Sequence, residues 1–475
     1  MSDNFEERSF APAESSDVPQ TQDFAPNGFL KLGLAPELMQ AVNDLGYTQP
    51  TPVQEKTIPM ALPRENDEAG YIDLMVSSQT GSGKTAAFLL PVLHTLLKQR
   101  PAKSAPHPAR AGKRKFEAAA PHALVLCPTR ELAQQVANEA IDLVRHCRGL
   151  RIANIVGGMP YQLQIARLAN ANLVVATPGR LLDLQRSGQI RLDEVQFLVV
   201  DEADRMLDLG FADDLAEINQ LTIARRQTMM FSATFAARIH QLASRVMREP
   251  QKVQIDSPQE RHLNIKQVLF WADSAQHKRK MLDHWLRDRS IDQAIVFAST
   301  QIECDKLAGD LQQDGFDAVA LHGALNQGLR NRRLTALREG RVQILVATDV
   351  AARGIDVPTI THVFNFGLPM KAEDYTHRIG RTGRAGRDGI AVTFAEGRDR
   401  RRVFEIESFT KQPIKSEVIP GLEPQQRAPR SDFKPAGRRP PGRSGGFDSR
   451  RGNGGNSAGR TSGWGDTKAK AFRAR

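Results

Sequence analysis

The pattern that most restricts this chain is a short apolar run that keeps returning, each time followed by residues with helical spacing. The runs are 72–76, 123–127, 152–156, 173–176, 197–200 and 229–231. After Pro258 comes a second series, 268–271, 294–298, 318–321, 344–347, 362–366 and 390–394. A strand that is apolar at every position is buried on both faces, and strands that alternate with helices pair in parallel, with the helices packed above and below. Two α/β domains are therefore expected, each a parallel sheet flanked by helices. Residues 251–264 carry Pro258 and several charges without a clear period, and read as the linker between them. The expected bounds are 28–257 for the first domain and 258–420 for the second. In such sheets ligands bind beyond the carboxyl ends of the strands, which is where each motif below falls.

Outside this alternation the composition changes. Residues 1–27 are acidic and polar, lack the basic start and apolar stretch of a secretory signal, and are expected to form a disordered leader. Residues 421–475 hold thirteen Lys and Arg against four Asp and Glu, which is most of the chain's net charge of +11. This Gly/Arg-rich tail has too few aliphatic residues to offset its ordering entropy, so it is expected to be disordered and strongly attracted to polyanions, with a merely solubilising tail as the alternative. Phe433, Phe447, Trp464 and Phe472 lie among its arginines, a mixture suited to phosphate contacts and base stacking. Residues 101–122, with Lys113, Arg114 and Lys115, form a basic insertion read as a solvated loop able to touch RNA. No apolar run approaches the roughly 18 residues of a membrane span. The three cysteines, Cys127, Cys147 and Cys304, show neither disulfide nor zinc spacing, as befits reduced thiols in a cytoplasmic protein.

Four constellations carry chemistry. Ser78-Gln79-Thr80-Gly81-Ser82-Gly83-Lys84-Thr85 follows a strand and opens a helix, the setting of a phosphate-binding loop. Its glycines let backbone N–H groups approach phosphate, the helix start adds its dipole, Lys84 reaches the β/γ oxygens and Thr85 ligates Mg2+. Asp201-Glu202-Ala203-Asp204 ends the run 197–200. Asp201 would hold Mg2+ through water, and Glu202 would orient or deprotonate the water attacking the γ-phosphate. Ser232-Ala233-Thr234 ends another strand, with hydroxyls that can bond to neighbouring carboxylates. In the second domain, Arg378, Arg381 and Arg384 recur every third residue after His377, beside glycines. In a chain with a phosphate loop that spacing suggests arginine fingers. The stretch 347–356, with Thr348 and Asp356, adds polar groups facing the same cleft. Gln54 offers the donor and acceptor that would read adenine N7 and N6. Phe29 or Tyr47 would supply a stacking face, with core packing as the alternative for each.

Taken in order, these residues resemble the DEAD-box family of superfamily 2 helicases over roughly residues 29–403, most of all its bacterial RhlE-like members. The resemblance also rests on Pro128-Thr129-Arg130-Glu131-Leu132-Ala133, Gly157-Gly158, Thr177-Pro178-Gly179-Arg180, Ser299-Thr300, and Leu321-His322-Gly323 with Gln327. It implies two tandem RecA-like domains that use ATP and Mg2+ to unwind short RNA duplexes locally. It further implies that Arg130, Gly158, Thr177, Arg180, Thr300 and Thr348 line one RNA strand through phosphate and 2′-hydroxyl contacts, largely independent of sequence. Ser232, Thr234, Asp204 and His377 would couple ATP turnover to strand separation, Arg381 and Arg384 would act on the γ-phosphate, and Asp356 would face the nucleotide. Such a protein works as a monomer, with ribosome-assembly or RNA-degradation proteins as candidate partners. The competing reading is an ATP-gated clamp or annealing protein on RNA.

Overall fold

The apolar runs become the interiors of two all-parallel seven-stranded sheets in the computed structural model. It describes residues 27–63, 70–77, 82–99, 118–233, 235–255, 264–352, 355, 357, 359–384 and 387–425. The first sheet contains β1 (Leu74–Ser77), β2 (Ala123–Leu126), β3 (Ile152–Ile155), β4 (Leu173–Ala176), β5 (Phe197–Val200), β6 (Gln227–Ser232) and β7 (Gln251–Gln254), in the order β3-β4-β2-β5-β6-β1-β7. The second contains β8 (Ile265–Ala272), β9 (Gln293–Phe297), β10 (Ala318–Leu321), β11 (Ile344–Ala347), β12 (Ile360–Asn365), β13 (Gly389–Glu396) and β14 (Lys415–Glu417), in the order β10-β11-β9-β12-β13-β8-β14. Each strand of the second sheet takes the place of the strand seven earlier, so the two sheets have one topology.

Burial explains why the runs are continuous. In β1, Leu74 and Val76 pack into the core on one face of the sheet and Met75 into the core on the other. In β9, Ala294 and Val296 face one core while Ile295 and Phe297 face the other. With helices on both faces, neither parity of side chain meets water.

The strands β7 and β14 depart from this pattern, and β7 corrects the expected linker. Residues 251–254 are β7, paired in register with β1, and only Val253 of the four is buried. An edge strand of this kind meets the core through few side chains, so it lacks the apolar signature of an interior strand. The linker is thereby confined to fewer residues than expected; 256–263 lie outside the described residues. In the second sheet, β14 has no buried residue. Leu422 nevertheless packs on the second core, and the Gln425 N–H donates to Asp273 Oδ2 at 2.9 Å. The contacts of this half therefore continue past residue 420. The expected leader, the basic insertion for most of its length, and the tail beyond Gln425 lie outside the described residues.

The second core centres on Phe364, whose ring lies parallel to Phe394 at 6.3 Å and edge-on to Trp285. Phe364→Ala is expected to destabilise this half by about 3–5 kcal/mol. Denaturant unfolding should then show it melting before the first half, whereas a single unshifted transition would contradict the assignment.

Candidate nucleotide and RNA site

The helix Lys84–Lys98 begins at the carboxyl end of β1, with Gly83 as its N-cap at φ 85°, ψ 24° and no side chain capping it. Its first N–H groups and dipole are thus directed at whatever lies beyond the strand. A Cβ on Gly83 would lie 2.6 Å from Gln54 Nε2 and 3.0 Å from Thr51 Oγ1, so this close approach requires glycine. Lys84 is 8% exposed, and its buried Nζ has no hydrogen-bond partner among the described residues. A buried ammonium without a partner is costly, and an anion at this helix start would satisfy it. Ser82 and Thr85 are half-buried beside it. Ser78, Gln79, Thr80 and Gly81 lie outside the described residues.

Gln54 is placed beside this loop. Its Oε1 accepts from the Thr51 N–H at 2.9 Å, and its Nε2 donates to the Gly83 carbonyl at 3.0 Å. One donor and one acceptor position are therefore already engaged in joining the start of helix Pro52–Ala61 to the phosphate loop, leaving one of each for a ligand. Phe29 corrects an expectation: it is 1% exposed within the first core, stacked on Tyr47 at 6.4 Å. Its ring faces are covered by the protein's own side chains, and only the half-buried Tyr47 retains exposed surface.

Across the sheet, β5 delivers Asp201 and Glu202. Glu202 has φ 48° and ψ 53°, a left-handed conformation unusual for a side-chain-bearing residue, as the chain turns sharply from strand into helix Ala203–Asp208. Its N–H donates to Asp201 Oδ1 at 2.9 Å. Burial pushes the Asp201 carboxyl up to about 6, against the pull of Lys84 and helped by the negative Glu202. Asp204 points toward β6, accepting from Ser232 Oγ at 2.9 Å and from the Ala233 N–H at 3.2 Å. His377 Nε2 approaches Asp204 Oδ2 at 3.7 Å from the other domain. Thr234 and Asp356 lie outside the described residues.

The three evenly spaced arginines have different roles. Arg378 is locked inside its own domain: it pairs twice with Asp349, at 2.5 and 2.8 Å, and stacks on Phe297 at 4.8 Å. It is a structural residue, contrary to the expectation that all three are fingers. Arg381 donates to the carbonyls of His377 and Ile355, and Arg384 to those of Gly380 and Ile355. The helix Ala372–Ile379 ends between Arg378 and Arg381, so regular spacing in sequence does not continue as one helical face.

The expected RNA residues lie at strand ends in both halves. Thr129 and Thr300 cap the helices Arg130–Leu143 and Gln301–Gln313, each accepting an N–H three residues on. Thr177 precedes helix Pro178–Arg186 without a side-chain cap bond, and Thr348 precedes Asp349–Ala352. Arg180 donates to the Met159 carbonyl at 3.0 Å and stacks over Tyr161 at 4.4 Å. Gly158, at φ +78°, lies against the Arg130 guanidinium. Arg130 reaches across to Gln327 Oε1 at 3.2 Å, while Gln327 and Arg330 both donate to Glu131, at 3.0 and 2.9 Å. The role of Arg330 escapes sequence reading, because an arginine on a helix with many charges looks like a solvated face.

Comparison with known proteins decides what this arrangement belongs to. A DEAD/DEAH box helicase domain matches residues 51–242 and a helicase conserved C-terminal domain matches 277–386. The ATP-dependent RNA helicase SrmB of Escherichia coli is 40% identical over 403 residues, spanning 84% of this chain and 86% of the relative. The chain belongs to the DEAD-box family of ATP-dependent RNA helicases. RhlB of Pseudomonas syringae pv. tomato, also an ATP-dependent RNA helicase, is 38% identical across 82% of this chain and 95% of its own. Among solved structures, S. cerevisiae Dbp5 bound to RNA and ADP BeF3 matches with a TM-score of 0.71 and 30% identity, covering 82% of this chain and 95% of Dbp5. Mss116p bound to ssRNA and AMP-PNP matches at 0.70 with 28% identity, covering 87% of this chain and 82% of that one. Each alignment spans both sheets, consistent with two tandem RecA-like domains.

Two expectations follow from this geometry. The Asp201 proton stabilises the nucleotide-free protein below the ordinary carboxylate value of 3.8, and that contribution is lost as pH rises through about 6. Asp201→Asn should therefore abolish ATP turnover yet raise thermal stability at neutral pH by on the order of 1 kcal/mol. The gain should shrink as pH falls from about 6 and vanish below 3.8, where the Asp201 carboxyl is protonated in the folded and unfolded chain alike; a gain independent of pH would contradict the buried charge. At Gly158, one of the residues expected to meet RNA, φ is +78° and a Cβ would lie 2.6 Å from Arg130 Nη1. Gly158→Ala should raise the RNA concentration that half-saturates the ATPase roughly tenfold, equivalent to about 1.4 kcal/mol.

Proposed function

We propose that this DEAD-box helicase binds ATP with Mg2+ at the first domain's strand ends, closes its second domain over it, and holds one RNA strand across both, separating short duplexes. The observation that carries this reading is the buried, unpartnered Lys84 ammonium opposite Asp201 and Glu202, with His377 of the second domain beside the same acidic helix. In this reading Lys84 and the uncapped helix start neutralise phosphate charge, and Gln54 presents its remaining amide positions to adenine. Glu202 takes the proton of the attacking water, while Arg381 and Arg384 stabilise charge on the transferred group. Among the described residues no cluster of three side chains forms a metal site. Thr85 and Asp201 would instead hold Mg2+ together with the substrate's phosphates, an arrangement this ion favours. When bound, the metal would supply charge neutralisation to the substrate's phosphates.

Arg130, Thr177, Arg180, Thr300 and Thr348 would meet the RNA backbone at helix starts and through guanidinium groups. Such contacts carry no sequence preference. Placement in the cytoplasm as a monomer belongs to the same proposal; no described helix is long and apolar enough to cross a membrane. A clamp or annealing activity would use the same closure, so multiple-turnover unwinding must be compared with ATP and with a nonhydrolysable analogue.

The direct test is steady-state ATP hydrolysis without nucleic acid, with single-stranded RNA and with single-stranded DNA of matched length. Strong stimulation by RNA alone is expected. Glu202→Gln should keep ATP and RNA binding and lose turnover; normal hydrolysis by that variant would remove Glu202 from its assigned role. Removal of 426–475, cut after Gln425 to spare its bond to Asp273, should weaken RNA binding more at low salt than at high salt. The log–log salt slope should fall by about 0.7 for each phosphate that the tail no longer neutralises, and an unchanged slope would rule out an electrostatic role for the tail.

A further inference from the structure

The two halves also meet beside the residues assigned to the nucleotide, through a patch of interleaved charges. From the first half come Arg205 and Asp208, on the helix that follows the acidic tetrapeptide, and Arg238 on helix Ala237–Val246. Lys371, Glu373 and Asp374 come from the start of helix Ala372–Ile379, which also carries His377 and Arg378. Lys371 Nζ donates to Asp208 Oδ1 at 2.7 Å, Arg238 Nη2 to Glu373 Oε2 at 2.7 Å, and Arg205 Nη1 bonds to Asp374 Oδ1. Within the first half, Asp208 also accepts from Arg205 at 3.2 Å and from Arg238 at 2.6 Å, and Arg205 Nε lies 3.8 Å from Asp204.

The charges alternate in sign across the junction, and burial distinguishes them. The side chains of Lys371, Arg238 and Glu373 are 52%, 33% and 29% exposed, whereas those of Arg205 and Asp374 are 2% and 10%. An exposed pair contributes little, but separating a buried charge from its partner is costly unless water replaces it. Arg205 spans both situations. Its guanidinium bonds to Asp374 across the junction, while its backbone belongs to the helix that begins with Ala203 and Asp204. A small cavity beside it is lined by Asp349, His377, Arg378 and Arg381, and Arg205 Nη2 is buried without a hydrogen-bond partner among the described residues.

We propose that Arg205 and Asp374, supported by the Lys371–Asp208 and Arg238–Glu373 pairs, form a closing contact that positions the DEAD helix when the second domain arrives. Arg205 is a positioning residue: its side chain bonds to Asp208 and Asp374, and the chemistry at the phosphate is assigned to Asp201 and Glu202. Docking of Asp374 holds the Arg205 side chain, and with it the helix carrying Asp204, in the place where Asp204 meets His377. Burial raises the cost of an Asp208 carboxylate, yet bonds from Lys371 and Arg238 hold its pKa below the ordinary value. One of those two donors comes from the opposite domain, so closure itself favours the charged form.

The inference rests on the reading of this chain as an ATPase that closes on RNA, so RNA-stimulated hydrolysis by the unaltered protein is measured first. Its absence would defeat that reading rather than this one. Asp374→Asn, made on the second domain so that the acidic helix is left intact, should raise the RNA concentration for half-maximal ATPase roughly five- to thirtyfold. Turnover at saturating RNA should change much less. Glu373→Arg should also raise it by setting two arginines against each other, and adding Arg238→Glu should restore it in large part. An unchanged RNA dependence in Asp374→Asn overturns the proposal. So does a fall in maximal turnover that follows a fall in thermal stability, or a Glu373→Arg defect that Arg238→Glu does not relieve, since either would mark a structural role.

Discussion

A strand buried on both faces of an all-parallel sheet can offer chemistry only at its ends, and that constraint organises this protein. Because every described strand runs in one direction, all the carboxyl ends of a sheet open on one edge. The chain must return by a helix after nearly every strand, so each edge is also lined by helix starts, the natural place for anions. Lys84 follows β1, Asp201 follows β5 and Ser232 ends β6, three neighbouring strands in the order β5-β6-β1. Thr129 and Arg130 follow β2, and Thr177 follows β4, the pair next along the sheet. The groups proposed for nucleotide and for RNA thus occupy two portions of one edge.

The second sheet repeats the first strand for strand, yet its edge is equipped differently. Thr300 follows β9 and Thr348 follows β11, the counterparts of β2 and β4, so the portion proposed for RNA is duplicated. The counterpart of the phosphate loop, after β8, has no glycine. Its helix Ala275–Leu286 starts with Ser274 accepting the His277 N–H, which engages a helix start that Gly83 leaves uncapped. Lys278, in that helix, is paired with Glu396 at 3.2 Å, whereas Lys84 Nζ has no hydrogen-bond partner among the described residues. The second domain thus neutralises this cation with its own carboxylates. The asymmetry suits the second domain to deliver side chains such as His377 to the nucleotide of its neighbour.

Much of this was legible beforehand because periodicity reports burial and most functional residues sit beside the runs it reveals. The strands β1–β6 and β8–β13 announced themselves as apolar runs, and the phosphate loop and acidic tetrapeptide follow directly from two of them. The edge strands β7 and β14 did not, since one buried valine in four, or none, leaves no apolar run. Phe29 and Arg378 show a different limit: residue type suggested a stacking face and a finger, but only three-dimensional packing reveals that Phe29 is enclosed by the core and that Arg378 is occupied by Asp349. The charges Arg205, Asp374 and Arg330 were invisible for the opposite reason. Each looks like part of a solvated helix, and what makes it matter is a partner more than a hundred residues away.

The energetics of the junction fit a machine that must open again. Among the described residues, the Lys371–Asp208 and Arg238–Glu373 pairs reach across with basic side chains open to water, and pairs open to water contribute at most about 1 kcal/mol each. A large apolar interface would hold the domains together regardless of ligand. A junction of charges gives water a way back in, so its grip depends on what else is bound. ATP and RNA each touch both domains in the proposed site and would add their differential affinity to this modest contact; removing the γ-phosphate subtracts from it. The charged patch therefore specifies how the domains meet while leaving the ligands to decide whether they do.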